Sequence, residues 1–280
     1  MRHSSPVSTE AIQAKPVPSR RYCLMADWNP DLYLKFEKER TQPARDLLFR
    51  IAKNNPARII DIGCGPGNST IELKKRWPNA FILGIDSSEN MINRARHDYP
   101  QLEWKVYDAN DDLSPLGKFD VVFSNAAIQW MPNHKELLKR FFSILNDNGV
   151  LAVQIPNLTY MPIHVAVQET AQEDIWLNYF GNMGDGLEYH ELTFYYDALC
   201  SLAKDINLWE THYHHVLPGH EAIIEWYSAT GMRLYLEKLT GEEKERFLQS
   251  VLAKIRERYQ VQTDGKVLFP FRRLFFIAYK

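Results

Sequence analysis

Cysteine is scarce in this chain. Cys23, Cys64 and Cys200 are the only three among 280 residues, and they lie far apart with no CxxC pair. That spacing argues against a disulfide-stapled fold and against a structural zinc site, and reduced thiols in a cytoplasmic protein are the expectation. Long apolar runs are missing as well. Nothing approaches the roughly 20 residues that span a bilayer, so no membrane partner is expected. Charge of one sign is also lacking: 33 basic residues face 35 acidic ones, for a net charge of -2. A polyanionic partner such as nucleic acid is therefore not favoured. No internal repeat or low-complexity segment interrupts the chain.

What is present is material for a core. Hydrophobic residues make up 45 % and charged residues 24 %, the composition of a globular protein. Residues 1–24 are rich in Ser, Pro and basic residues and hold no stretch resembling a signal peptide. They are expected to be a disordered extension, with Met25 an alternative start and residues 25–280 forming the folded domain.

The domain is organised around Arg58-Ile59-Ile60-Asp61-Ile62-Gly63-Cys64-Gly65-Pro66-Gly67-Asn68. An apolar run ends in an acid, meets glycines at alternate positions and passes into a helical pattern. This is the strand, turn and helix start of a nucleotide-binding sheet. The dinucleotide fingerprint G-x-G-x-x-G needs glycine where this chain has Asn68, which argues against a nicotinamide dehydrogenase. A second run, Ala80–Ile85, ends in Asp86, placed to accept from both hydroxyls of a ribose. Ser87 or Ser88 then caps the next helix. Further strands are expected over Leu102–Tyr107, with Asp108 and Ala109 just beyond, Phe119–Asn125 and Val150–Ile155. Alternating strands and helices make a core over about residues 56–155. Strands over Leu208–Val216 and Val267–Tyr279 complete a seven-stranded sheet, and insertions after strands five and six, about 157–192 and 218–262, form a helical lid. The spacing also predicts a helix over Asp27–Lys53, kinked or split at Pro43, a turn at Asn146–Gly149 and a helical segment over Tyr160–Phe180.

The glycine turn and Asp86 resemble motif I and the following acid of class I S-adenosylmethionine (SAM) methyltransferases. That resemblance implies a Rossmann-like α/β sheet with helices on both faces. It implies that Asp61, Gly63, Cys64, Gly65, Asp86, Ser87 and Asn125 surround the cofactor. Met91 would pack on adenine, Asp108 with Ala109 would meet its amino group, and Tyr33 and Arg40 would reach the methionine end. Narrower strings, Ala26–Phe36 (ADWNPDLYLKF), Asp61–Thr70 (DIGCGPGNST), Gly84–Ser88 (GIDSS), Asn125–Pro132 (NAAIQWMP), His220–Trp226 and Ala229–Arg233, resemble the trans-aconitate 2-methyltransferases from Met25 onward. One departure stands at Pro270–Phe275, where a second arginine joins the family's Phe-Pro-Arg-Leu-Phe string. The layout also resembles the malonyl-acyl-carrier-protein methyltransferases of biotin synthesis, and both families esterify a carboxylate. A non-catalytic SAM-binding protein is the alternative outside enzymes.

A carboxylate is already anionic at neutral pH, so methyl transfer to it needs alignment rather than a general base. No catalytic residue in the strict sense is expected. A small carboxylic acid substrate does need donors for the carboxylates that do not react, and arginine meets a carboxylate with two hydrogen bonds. The candidates are Arg233 first, then Arg272 or Arg273, with His164, Tyr195, Tyr213 and His214. Trp130 and Trp28 would wall the pocket. His212 and His214 share one strand face with no acid cluster beside them, so no metal is expected. A monomer is the expected state.

Overall fold

The computed structural model describes residues 35–181 and 183–280. The expectations for residues 1–24, Trp28 and Tyr33 lie outside the described residues. Seven strands form one sheet in the order β3-β2-β1-β4-β5-β7-β6. They are β1 (Arg58–Ile62), β2 (Phe81–Asp86), β3 (Glu103–Val106), β4 (Phe119–Asn125), β5 (Leu145–Pro156), β6 (Asp205–Leu217) and β7 (Val267–Tyr279). The first five run parallel, and β7 lies antiparallel between β5 and β6. Central strands are apolar without alternation because both faces are covered, and Ile59, Ile60, Val121 and Val122 are fully buried.

Helix α1 (Glu37–Arg50) and α2 (Asn68–Arg76) cover one face, meeting the sheet through Ala44, Leu47, Leu48, Leu73, Val150, Ala152 and Phe275. On that flank α3 (Glu89–Asp98) packs Ile92 and Ala95 near Trp104. The other face takes α4 (His134–Ser143) and α7 (Leu192–Leu199). Between β5 and α7 come α5 (Pro162–Ala171) and α6 (Asp174–Phe180), and between β6 and β7 come α8 (His220–Ser228), α9 (Arg233–Leu236) and α10 (Gly241–Arg258). These five helices share their own apolar cluster, centred on Trp176, Phe180, Trp226, Tyr235 and Phe247. β5 and β6 both point toward this cluster, since each is antiparallel to β7. The helices therefore sit over the carboxyl ends of the strands, as the insertions after strands five and six require.

Several local expectations are corrected. Among the described residues, α1 starts at Glu37 and runs unbroken through Pro43. The proline removes one backbone hydrogen bond, and burial of Ala44, Leu47 and Leu48 against the sheet offsets that loss. The turn expected at Asn146–Gly149 is a bulge within β5, because Phe119 pairs with Leu145 and the next pair is Val121 with Val150. Tyr160–Phe180 is two helices separated at Gln172 and Glu173.

Parallel sheets bind ligands where successive crossovers leave in opposite directions. Here that point is the gap between the carboxyl ends of β1 and β4. Packing is tight on the neighbouring β2–β3 pair, where a Cβ on Gly84 would lie 2.4 Å from the Trp104 ring. Gly84→Ala should cost about 1–3 kcal/mol of unfolding free energy through this clash. Urea unfolding monitored by tryptophan fluorescence checks it, and a midpoint equal to wild type would contradict the packing described.

Candidate active site

A cavity of about 600 Å³ opens at that gap, between the strand ends and the helices above them. Its floor begins with the turn after β1. Gly63 has φ +70°, and a Cβ there would lie 2.2 Å from the Cβ of Ala127, so only glycine brings this backbone against the segment after β4. Beneath the turn, Asp61 is fully buried and accepts hydrogen bonds from Ser69 and Thr70 through one oxygen, both at 2.6 Å. Its other oxygen has no hydrogen-bond partner among the described residues. Burial is the largest influence and raises the Asp61 pKa to about 6 against those two hydrogen bonds. Burial, then the charges of Asp86 and Asp61, push the Cys64 thiol up, so it stays protonated and is no nucleophile.

The acidic flank comes next. Asp86, at the end of β2, accepts from the backbone N–H of Gly65 at 3.0 Å and of Ser88 at 2.9 Å, so its carboxylate is aimed by the turn it faces. Ser88 caps α3 by accepting from Met91 N–H at 3.2 Å, which sets Met91 in the cavity wall. Asp108 and Ala109 follow β3 and also line the cavity.

At the end of β4 the chain turns sharply. Ala126 adopts φ +52°, a left-handed conformation that costs a non-glycine residue energy and recurs at functional sites. The Gln129 amide donates to the Ala126 carbonyl at 2.7 Å, and its oxygen has no hydrogen-bond partner among the described residues. Asn125, Gln129 and Trp130 all line the cavity.

The opposite flank is cationic. Arg40 and Arg273 line the cavity while only 8 % and 5 % exposed. Arg40 donates to the Trp226 carbonyl at 3.2 Å, and the Arg273 guanidinium stands 4.0 Å from the Phe271 ring centroid. Arg233 lines the cavity from α9, 3.2 Å from Glu237 and 5.9 Å from the Trp130 ring centroid. Among the described residues, the carboxylates lining the cavity are Asp86 and Asp108 alone. Across the strand order, β2 and β7 are four spacings apart, about 19 Å at ~4.8 Å per step. The cavity thus has an acidic end and a basic end.

Two carboxylates pin a strap over it. Glu188 accepts from the N–H groups of Asn133 and His134 at 2.7 and 3.0 Å, and its neighbour Leu187 lines the cavity. Burial acts to raise the Glu188 carboxyl, but hydrogen bonds from His190 and these two amides hold it below its usual range. Asp185 lies 3.1 Å from His164 Nε2.

Five candidates singled out from the sequence are placed elsewhere than at the cavity; one of them, Tyr213, donates from its hydroxyl to Asp46. Tyr195 is not at the cavity: it is fully buried on α7, stacked on Phe276, and its hydroxyl donates to His134 Nδ1 at 2.9 Å. His164 stands one layer behind, 2.6 Å from the hydroxyl of Tyr227, which does line the cavity. His214 is exposed, because strand alternation turns His215 inward instead. Arg272 faces away from the cavity on β7 and is bound by Glu191 and Glu210, and the Glu210 hydrogen bond is the largest cause raising its pKa. His215, buried against Trp226 at 4.9 Å, was missed, although period-two alternation offered the choice between the two histidines. Its pKa falls to about 4, first from burial and then from the charges of Arg273 and Arg40, so it is neutral. His134, Glu188 and His190 bring ligand-type atoms within 4.8 Å of one another. Both His134 ring nitrogens are already engaged, by Tyr195 and by the Ile128 carbonyl at 2.8 Å, so the group holds the Ile128–Trp130 turn in place. Among the described residues, no helix is long and apolar enough to cross a membrane.

A family profile described as a methyltransferase domain matches residues 36–212. The trans-aconitate 2-methyltransferase of Escherichia coli is 42 % identical over 254 residues, covering 91 % of this chain and 98 % of that protein. Among solved structures, the YcgJ protein of Bacillus subtilis has a TM-score of 0.54 at 13 % identity, covering 85 % of this chain and 98 % of that one. Coclaurine N-methyltransferase, solved with N-methylheliamine and S-adenosylhomocysteine, has a TM-score of 0.51 at 15 % identity, covering 85 % of this chain and 72 % of that one. At these identities the structural likeness speaks to the fold.

The raised Asp61 pKa has a definite sign. The folded protein keeps a proton up to about pH 6 that the unfolded chain releases near pH 4, so folding stability falls as pH rises through that window. Asp61→Asn removes this slope. Urea unfolding of both proteins from pH 4.5 to 7.5 should show the variant gaining on wild type, by on the order of 3 kcal/mol at most. A difference independent of pH would contradict the buried, proton-holding carboxyl.

Proposed function

The chain belongs to the trans-aconitate 2-methyltransferase family, and we propose that it transfers the methyl group of SAM to a carboxylate oxygen of trans-aconitate. The observation that carries this reading is the division of one cavity into an acidic end and a basic end. A nucleoside with vicinal hydroxyls suits the first, and a polycarboxylate suits the second.

SAM, when bound, supplies a methyl group on a positively charged sulfur. The fit of this chain's residues to it rests on the open glycine turn and the carboxylate that the turn aims. Asp86 accepts from the ribose hydroxyls, with Ser87 and the backbone of Gly63, Cys64 and Gly65 alongside. Met91 and Ala109 flank the adenine, and Asp108 accepts from its amino group. Arg40 holds the methionine carboxylate, and Asn125 borders the same end. Asp61 acts from below, by fixing the start of α2 through Ser69 and Thr70.

At the basic end, Arg233 and Arg273 each grip a carboxylate that does not react, and Trp130 excludes water from the one that does. Desolvation sharpens the nucleophile and strengthens each ionic contact, while fixed alignment replaces an unfavourable encounter. No side chain has a proton to remove, since the acceptor is an anion at neutral pH. Every group assigned here comes from one chain, so a monomer suffices, and the cytoplasm is the proposed setting.

The test is a methyl-transfer assay with labelled SAM against trans-aconitate, cis-aconitate and isocitrate. Base-labile methyl ester on trans-aconitate is expected. Arg233→Ala should raise KM for the acid at least tenfold with SAM binding unchanged, and Arg233→Lys should recover part of the loss, since one charge remains without the planar fork. Ester formation by Arg233→Ala at wild-type KM would remove Arg233 from the substrate site, and no ester on any of these acids would overturn the substrate.

A further inference from the structure

A buried polar row lies at the edge of the apolar layer between α1 and the sheet. Asn125 on β4 pairs in register with Gln154 on β5, and Gln154 pairs with Phe275 on β7. Strand alternation puts Gln154 on the same face as Val150 and Ala152, under α1. Arg273, two residues before Phe275, shares that face and pairs with Pro156. From above, Ala44, Leu47 and Leu48 of α1 cover the apolar layer, and Thr41, one turn earlier, lines the cavity together with Arg273.

Gln154 is 0 % exposed, and neither its amide nitrogen nor its amide oxygen has a hydrogen-bond partner among the described residues. The Thr41 hydroxyl and the Asn125 side-chain oxygen, on cavity-lining residues, are in the same condition. A buried amide with both ends unsatisfied weakens a fold, and a methionine of similar volume would fill the site without that penalty. Gln154 does not itself line the cavity, whereas its register partner Asn125 does, so any influence of Gln154 on a bound group passes through that neighbour. The setting selects the group. Arg273 supplies a cationic fork, Thr41 supplies a neutral donor, and the nearby His215 is uncharged.

Resting on the carboxylate reading above, we propose that Thr41 and Arg273 form the subsite for one unreactive carboxylate of the substrate, with Gln154 as its positioning residue. The Thr41 O–H and the Arg273 guanidinium donate to the carboxylate. Gln154, fully buried behind the cavity wall, acts through its register partner Asn125. A neutral donor beside a single guanidinium binds one anion without crowding further positive charge against Arg40.

The experiment compares wild type, Gln154→Met and Thr41→Val, measuring KM and kcat for trans-aconitate and for a dicarboxylate analogue lacking one carboxylate, KM for SAM, and Tm. Both variants should raise KM for trans-aconitate at least tenfold, leave KM for SAM within twofold, and narrow the preference for the tricarboxylate over the dicarboxylate. Gln154→Met should melt at or above the wild-type temperature, since it removes an unsatisfied buried amide. KM for trans-aconitate within twofold of wild type overturns the subsite alone. So does an equal rise in KM for both acids, or a Tm several degrees lower in Gln154→Met, because either marks a purely structural role. A wild-type protein that esterifies neither acid overturns the methyl-ester function and the subsite with it.

Discussion

Opposite charge held at opposite flanks of one sheet is the constraint from which the site follows. Asp86 and Asp108 follow β2 and β3, whereas Arg273 sits on β7 and Arg40 and Arg233 reach over from α1 and α9. The interior screens charge far less than water does, so each flank imposes its own sign on whatever lies nearest. A ligand with a nucleoside at one end and a partner rich in carboxylates at the other fits this field in only one orientation. Under the proposed function the methyl donor and acceptor meet in the middle, at the ends of β1 and β4.

Holding that field steady is largely the work of hydrogen bonds within the chain. The Asp86 carboxylate is aimed by two backbone amides, the Ile128–Trp130 turn is anchored through His134, and the strap carrying Leu187 is fastened by Glu188 to the start of α4. The helices over the strand ends pack among themselves through Trp176, Trp226 and Phe247. They form a second core, distinct from the two layers on the faces of the sheet. The Phe36–Trp226 contact, at 4.7 Å, ties α1 to this second core beside Arg40.

The parallel half of the sheet was legible in the sequence because its signals are local. Phe119–Asn125 and Val267–Tyr279 have the bounds that their apolar composition implies, and the glycine turn and Asp86 both line the cavity. The basic end was half legible. Arg233 and Arg273 stand in the cavity wall, but Tyr195 and His214 do not, since the composition of a helix or an edge strand does not say which face a neighbour covers. The same limit hid His215, Thr41 and Gln154. Each is next to, or paired in register with, a residue that sequence reasoning singled out. Their significance comes from burial and from hydrogen bonds left unmade, which only the packed chain reveals. Pro43 misled for a related reason, because packing of the residues after it outweighs its local cost.

The measurement that bears most directly on the central claim is a crystal structure of the protein with S-adenosylhomocysteine and trans-aconitate. The account predicts ribose hydroxyls on Asp86, one carboxylate turned toward the sulfur near Asn125, and the other two held by Arg233 and Arg273. A substrate bound outside the cavity, or carboxylates seated in it away from both arginines, would contradict the division of the site into an acidic and a basic end.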